Sequence, residues 1–151
     1  MAVAPERRLL DWPLPLSGFA SRLAVTPKGE RRWELIEDLV HAQGDGTRIT
    51  VKQGTTTDFD SVPRLFWAIF PPYGLYTMAA VFHDELYRLR GRIPDEDAAG
   101  GYRTLTRKEC DKLFLAEMIV DGTKVIRALV MYRAVRWFGW IAWRKAGRRT
   151  A

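Results

Sequence analysis

Residues 79–91 read AAVFHDELYRLRG, and they place a histidine and an aspartate, His83 and Asp84, within a run of apolar side chains. Apolar positions recur here at helical spacing, in Met78, Phe82, Leu86 and Leu89. This periodicity predicts a helix from about residue 76 to residue 90, with Gly91 as its C-terminal cap. Two titratable side chains beside a core-facing stripe need partners, because an unpaired buried polar group costs free energy.

The residues before this helix predict antiparallel strands. RRWELIEDLVH (31–41) alternates apolar and polar side chains, QGDGT (43–47) supplies turn residues, and RITVKQ (48–53) alternates again. That order is typical of a β-hairpin. Because the strands are too few for a sandwich, the sheet must pack on helices. We therefore predict an α+β fold, with a small antiparallel β-hairpin or sheet in the N-terminal half packed on about four helices in the C-terminal half.

Capping residues predict the other helices. An aspartate or serine cap at residues 60–61 starts a short helix that ends at a double proline. Thr106 and Glu109 have the spacing of a capping box for a third helix. Thr123 is the predicted cap of a fourth helix, which covers residues 124 to about 143.

The chain divides into three regions by composition. Residues 1–18 contain three prolines and are predicted to form an irregular lead. Residues 19–145 are predicted to form a single α+β domain, in which the charged, glycine-containing segment 91–105 is an exposed loop. Residues 146–151 are predicted to be a basic tail.

Composition also bounds the class of protein. The 151 residues carry a net charge of +6 and are 47% hydrophobic, as expected of one globular domain able to meet an anionic partner. No DNA-reading motif is present, so specific nucleic-acid binding is not expected.

The single cysteine excludes an internal disulfide. The uncharged run 65–82 is interrupted by Pro71, Pro72 and Gly74, so no transmembrane helix is predicted. The N-terminus lacks the features of a signal peptide.

The His83–Asp84 pair carries the most chemical information. A histidine transfers protons near neutral pH, and a nearby carboxylate fixes its tautomer. Tyr87 lies one turn from both side chains, and the candidate carboxylates from elsewhere are Asp58, Asp60 and Asp111. A second carboxylate suits a hard cation such as calcium or magnesium, although the pattern does not establish a cofactor. The alternative is a buried structural network, which the dipeptide alone favours.

Three segments carry a family resemblance: TDFDSVPRLFWAIFPPYGLYTMAAVFHDELY (57–87), CDKLFLAEM (110–118) and YRAVRWFG (132–139). In this order they closely resemble a phage- and prophage-encoded family, catalogued as domain of unknown function family 1353. The resemblance covers about residues 30–143 and implies a phage origin rather than an activity.

The family pattern reads T-D-x-A-S-V-P-R, then H-D-x-L-Y, then an aspartate early in the next helix. The matching residues are Thr57, Asp58, Ser61, Val62, Pro63, Arg64, His83, Asp84, Leu86, Tyr87 and Asp111. Asp60 occupies the position of a small residue in this pattern. The resemblance therefore favours Asp58 over Asp60 as a ligand.

Over a shorter stretch, the helix with the H-D-x-x-Y motif (83–87) resembles a helix of the secreted calcium-dependent phospholipases. This resemblance implies that His83 is the base that activates water, Asp84 a calcium ligand and Asp111 the carboxylate that orients the imidazole. The chain departs from those enzymes because it lacks their glycine-rich calcium loop and their cysteines. The likeness is therefore an analogy for the helix pair alone.

The fourth predicted helix carries a candidate interface. Trp137, Trp140 and Arg144 share one face, with Arg133 and Arg136 close by. Exposed tryptophan and arginine are typical anchors of protein interfaces. Other phage structural proteins are the expected partners. An anionic membrane or a cell-wall surface is a further class of partner.

Two function hypotheses follow. In the first, the protein is a virion- or tail-associated structural or accessory protein with a buried His-Asp-Tyr network, made in the host cytoplasm and then carried in the virion. In the second, it is a hydrolase of lipid, cell wall or another ester or amide. His83 would be its general base, Tyr87 and Asp111 would assist, and Asp84 and Asp58 would hold a metal. The first is favoured because the catalytic set is incomplete.

Overall fold

A computed structural model describes residues 18–19, 21–29, 32–42, 48–58, 76–94 and 100–149 of the chain. The elements in chain order are β1 (Gly18–Phe19), β2 (Val25–Pro27), β3 (Arg32–Leu35), β4 (Leu39–Ala42), β5 (Arg48–Val51), β6 (Thr56–Asp58), α1 (Thr77–Arg88), β7 (Arg92–Pro94), β8 (Tyr102–Thr104), α2 (Arg107–Val120) and α3 (Val125–Arg149). Antiparallel sheets in the first half and helices in the second confirm the predicted α+β class. The helix expected from residues 60–61 and nearly all of the expected lead lie outside the described residues.

The predicted hairpin is present in β4 and β5, where Leu39 lies opposite Val51. The segment 31–41 is not one strand, because β3 and β4 belong to different sheets, with orders β2-β3-β6 and β1-β4-β5. Asp38 lies at the break, where its carboxylate accepts the backbone N–H of Gln53 at 2.7 Å. This bond bends the chain between two stretches that both alternate, so periodicity alone does not reveal the break.

The segment 91–105, predicted to be an exposed loop, contains the two-stranded hairpin of β7 and β8, so that prediction is wrong. Ile93 lies opposite Arg103 and is fully buried. A single buried side chain among charged residues gives too short a pattern to indicate a strand. Gly91 leads into the hairpin at a φ of +73°, and a Cβ there would lie 2.0 Å from the carbonyl oxygen of Leu105.

Two consecutive residues in left-handed conformation end α1. Arg90, at a φ of 55°, donates its backbone N–H to the carbonyl of Tyr87 at 3.0 Å. Gly91 donates to the carbonyl of Leu86 at 2.8 Å. Gly91 therefore closes the helix as predicted, but the left-handed turn begins one residue earlier, at an arginine.

The capping box of α2 is confirmed. The Thr106 hydroxyl accepts the backbone N–H of Glu109 at 3.3 Å, and the Glu109 carboxylate accepts the backbone N–H of Thr106 at 2.7 Å. Thr123 as the cap of α3 is wrong, because its hydroxyl is buried without a hydrogen bond within the described part of the chain. α3 begins at Val125 and has 25 residues, so the predicted basic tail is helical as far as Arg149.

α2 packs against both α1 and α3, and α1 also touches α3. Small residues on α3 permit this approach. A Cβ at Gly139 would lie 2.5 Å from the hydroxyl of Tyr87, and one at Gly147 would lie 3.0 Å from a guanidinium nitrogen of Arg90. None of the described helices is long and apolar enough to cross a membrane.

Candidate functional site

A buried histidine–carboxylate pair joins α1 to α2. Nε2 of His83 lies 2.9 Å from Oδ1 of Asp111, and the exposed fractions of the two side chains are 7% and 0%. An ionised carboxylate can only accept, so the His83 ring donates from Nε2. The faces of the His83 ring lie against Tyr87 and Phe114, with ring centroids 4.2 and 4.7 Å away. The structure thus brings together two residues that lie 28 positions apart in sequence.

Tyr87 completes one side of this pair. Its hydroxyl donates to Oδ1 of Asp111 at 2.6 Å. Burial and the neighbouring carboxylate raise the pKa of Tyr87 far above its ordinary value. The Tyr87 hydroxyl therefore stays protonated at physiological pH and donates a fixed hydrogen bond to Asp111.

Two arginines bind the other carboxylate oxygen, Oδ2 of Asp111. Nη1 of Arg136, on α3, lies 2.6 Å away, and Nη1 of Arg107, one turn before Asp111 on α2, lies 3.5 Å away. Arg107 also donates to the backbone carbonyls of Val135 and Arg136 at 3.4 and 3.3 Å. We call this set of five side chains, His83, Tyr87, Arg107, Asp111 and Arg136, the Asp111 hub.

Burial by itself would raise the pKa of Asp111, but the hydrogen bonds from His83, Tyr87 and Arg136 lower it below its ordinary value. Asp111 is thus a carboxylate held ionised in the protein interior. Sequence reasoning placed Arg136 in the interface and did not find Arg107. Arg107 lies four residues before Asp111 on the same helix, and this spacing is a signal that the sequence does contain. Arg136 lies on a different helix, so no sequence spacing links it to Asp111.

Of the two residues expected to hold a metal ion, the structure describes the side chain of Asp84 and only the backbone of Asp58. Thr57, in β6, donates its hydroxyl to Oδ2 of Asp84 at 3.1 Å, which joins β6 to α1. Asp58 is the next residue of β6, and its backbone lies opposite Arg32. Among the described side chains, no group of three or more His, Cys, Asp or Glu residues could hold a metal ion. The Thr57–Asp84 bond does bring the T-D and H-D motifs together.

The outward surface of α3 carries the residues expected to form an interface. We define its outer stripe as Ile126, Val130, Arg133, Trp137, Trp140 and Arg144. All six side chains are exposed, Ile126 to 80% and Trp137 to 69%. The guanidinium carbon of Arg144 lies 5.0 Å from the ring centroid of Trp140. Arg136, by contrast, turns inward to the Asp111 hub.

A second cluster of titratable groups, which sequence reasoning missed, joins β4 to the end of α2. Nε2 of His41 lies 2.7 Å from Oε1 of Glu117, and both side chains are fully buried. The distance is that of an ion pair, although the ring N–H does not point along it as in a hydrogen bond. The His41 ring stacks on Phe82 with centroids 4.4 Å apart. Asp121 lies one turn after Glu117, and burial followed by the Glu117 charge raises its pKa to about 6.

A family model described as "Protein of unknown function (DUF1353)" matches residues 33–135. The chain belongs to the DUF1353 family. The DUF1353 match runs from β3 into α3 and includes every residue of the Asp111 hub except Arg136, which follows its last position. Comparison with curated proteins and with solved structures found no match.

Replacing Asp111 tests how far the fold depends on its charge. Asp111→Asn should lower the free energy of unfolding by about 3–5 kcal/mol, because it leaves two arginines beside a neutral amide in the interior. Tyr87→Phe removes a single donor and should cost about 1–3 kcal/mol. Urea titration monitored by circular dichroism measures both. A loss for Asp111→Asn no larger than that for Tyr87→Phe would contradict the central role of the charge.

The raised pKa of Asp121 predicts a pH dependence of stability. Its folded-state pKa of about 6 exceeds the ordinary 3.8, so the folded protein binds the proton more tightly than the unfolded chain. The contribution to stability is complete below about pH 4 and is lost as the pH rises through about 6. Allowing for solvent screening of this partly exposed side chain, the loss should be about 1 kcal/mol.

Asp121→Asn should remove that loss, so the difference in urea midpoint between variant and wild type should grow from about pH 4 to about pH 7. Asp38→Asn is the matched control. The pKa of Asp38 is lowered by the Gln53 and Lys52 hydrogen bonds, so its contribution has the opposite sign and disappears as the pH falls. Parallel pH profiles for wild type and Asp121→Asn would refute the prediction.

Proposed function

We propose that this protein is a phage-encoded structural or accessory protein, associated with the virion or its tail, which docks on a neighbouring protein through the outer stripe of α3. The observation that carries the proposal is the exposure of that stripe. Trp137 is 69% exposed, although a tryptophan in a soluble chain is usually largely buried. Contiguous exposed apolar surface with aromatic and arginine side chains is the signature of a binding surface.

The Asp111 hub fits a structural role. Its two carboxylate oxygens accept from four side chains, two on α1, one on α2 and one on α3. A carboxylate with this many donors holds three helices in one arrangement. It thereby fixes the orientation of α3, because Arg136 lies on the same helix as the outer stripe. In this proposal the hub positions the docking surface.

The phage assignment rests on the family resemblance of the three segments in residues 57–139. A protein of this kind is made in the host cytoplasm and then enters the particle. Its partners are the neighbouring structural proteins. The outer stripe offers such a neighbour apolar contact from Ile126, Val130 and the two tryptophans, and charge from Arg133 and Arg144.

A hydrolase is the second candidate, and one observation favours it. Because His83 donates from Nε2 to Asp111, Nδ1 is the ring nitrogen that would take a proton from water in this candidate. The hydroxide so formed would add to the carbonyl carbon of an ester or amide of lipid or cell wall. The C–O or C–N bond would then break, and the proton taken up by His83 would pass to the departing alcohol or amine. In this candidate a calcium or magnesium ion would be held by Asp84, which is next to His83 and bonded to Thr57, together with Asp58. The residue types and their spacing match the phospholipase likeness.

The docking proposal predicts that the protein co-purifies with phage particles. Trp137→Ala combined with Trp140→Ala should lower the amount bound by about tenfold or more, because central aromatic anchors dominate binding energy. Ile36→Ala is the matched control, since Ile36 is as exposed as Trp140 but lies between β3 and β4. Quantitative mass spectrometry of gradient-purified particles measures incorporation. A monomeric protein absent from particles would overturn the proposal.

The hydrolase candidate is tested by His83→Ala. It predicts a loss of at least about a hundredfold in hydrolysis of phospholipid or peptidoglycan in the presence of calcium or magnesium, with a urea midpoint lowered no more than by Tyr87→Phe. Asp84→Asn should weaken the dependence on the cation while the fold persists. If His83→Ala instead unfolds the protein, the histidine is structural and the hydrolase candidate falls.

A further inference from the structure

We infer that the outer stripe of α3 binds an acidic amphipathic helix of its partner, with two carboxylates about 17 Å apart that pair with Arg133 and Arg144. This inference rests on the docking role proposed above and specifies the chemistry of the partner. Three features of α3 support it: the spacing of the stripe, the distribution of charge on the helix and the order of apolar and basic residues.

The spacing of the outer stripe suits a helical partner. Its positions, 126, 130, 133, 137, 140 and 144, advance alternately by four and three residues. Side chains at this spacing form one continuous seam along a helix, which is the arrangement that packs against a second helix. At 1.5 Å per residue the seam is about 27 Å long, enough for five helical turns of contact.

The charge of α3 is of one sign. Residues 125–149 contain no aspartate or glutamate, whereas five exposed side chains are basic: Arg127, Arg133, Arg144, Lys145 and Arg148. Within the described part of the chain, neither Arg133 nor Arg144 forms an ion pair, and Arg144 contacts the ring of Trp140. A second copy of α3 would bring like charges together along the seam, so self-association is disfavoured. A partner with carboxylates supplies the missing charge.

The order of residues distinguishes a protein helix from a lipid surface. In a helix that lies on a membrane, basic and apolar side chains occupy separate faces. Here they alternate on one seam, with Arg133 between Val130 and Trp137 and with Arg144 one turn after Trp140. Two carboxylates eleven residues apart on a facing helix would pair with Arg133 and Arg144. The partner residues between those carboxylates would be apolar and would contact Trp137 and Trp140. This match holds for either direction of the partner helix, because the spacing is the same in both.

Two designed soluble helical peptides test the inference. Both have an apolar seam, and they differ at two seam positions eleven residues apart, which are glutamate in one peptide and lysine in the other. Wild-type protein should bind the glutamate peptide at least about tenfold more tightly in fluorescence anisotropy titrations. Arg133→Glu combined with Arg144→Glu should reverse that preference. Arg127→Glu combined with Lys145→Glu makes the same change in net charge off the stripe and should leave the preference as in wild type.

Several results would overturn the inference. Failure of the glutamate peptide to bind, or equal binding of the two peptides, would contradict an acidic partner helix. Self-association of the protein at micromolar concentration would show that a second copy covers the stripe. Binding to vesicles of anionic phosphatidylglycerol, if abolished by Arg133→Glu with Arg144→Glu, would show that the stripe binds lipid. The docking role fails separately. Particle association could depend on Trp137 and Trp140 while Arg133→Glu with Arg144→Glu leaves the peptide preference unchanged. In that case the docking role is supported and the inference of an acidic partner helix is wrong. If the protein is absent from particles, the docking role itself falls.

Discussion

The ionised carboxylate of Asp111 is the constraint on which the arrangement of the three helices depends. A charge withdrawn from water must be compensated where it lies, or the folded state loses several kcal/mol. Here the compensation comes from His83 and Tyr87 on α1, from Arg107 on α2 and from Arg136 on α3. No one helix can shift along its neighbours without breaking one of these short contacts. The polar hub therefore supplies the register that apolar packing, which is not directional, leaves undefined.

The same constraint accounts for the exposed surface of α3. Arg136 must face Asp111, and Gly139 must face the Tyr87 hydroxyl, where a Cβ would lie only 2.5 Å away. These two positions fix the rotation of the helix about its axis. The residues on the opposite side, among them Trp137 and Ile126, are then turned to solvent whatever their hydrophobicity. The aromatic exposure is a consequence of the polar core and is not a failure of packing.

Local and repeated patterns made part of the fold predictable from sequence. The β4–β5 hairpin and the capping box of Thr106 and Glu109 followed from spacing. The pairing of His83 with Asp111 was implied only by the likeness to the phospholipase helix pair, since the residues alone left several candidate carboxylates. The β3–β4 break did not follow from spacing, because it depends on Asp38 meeting the Gln53 backbone across two strands. The β7–β8 hairpin, the inward turn of Arg136 and the His41–Glu117 contact also depend on long-range register. Helical periodicity assigns a residue to a face, but it does not say which neighbour covers that face.

The two histidines differ in how their carboxylate partners are compensated. Glu117 beside His41 has a second acid, Asp121, one turn away, and burial with the Glu117 charge raises the pKa of Asp121 to about 6. Asp111 beside His83 already accepts from two arginines and a tyrosine, and its pKa is lowered. Since the charge of Asp111 is shared with Arg107 and Arg136, the carboxylate is held in place while it accepts from Nε2 of His83 at 2.9 Å. The contacts of the hub thus hold the His83 ring in a fixed position between α1 and α2.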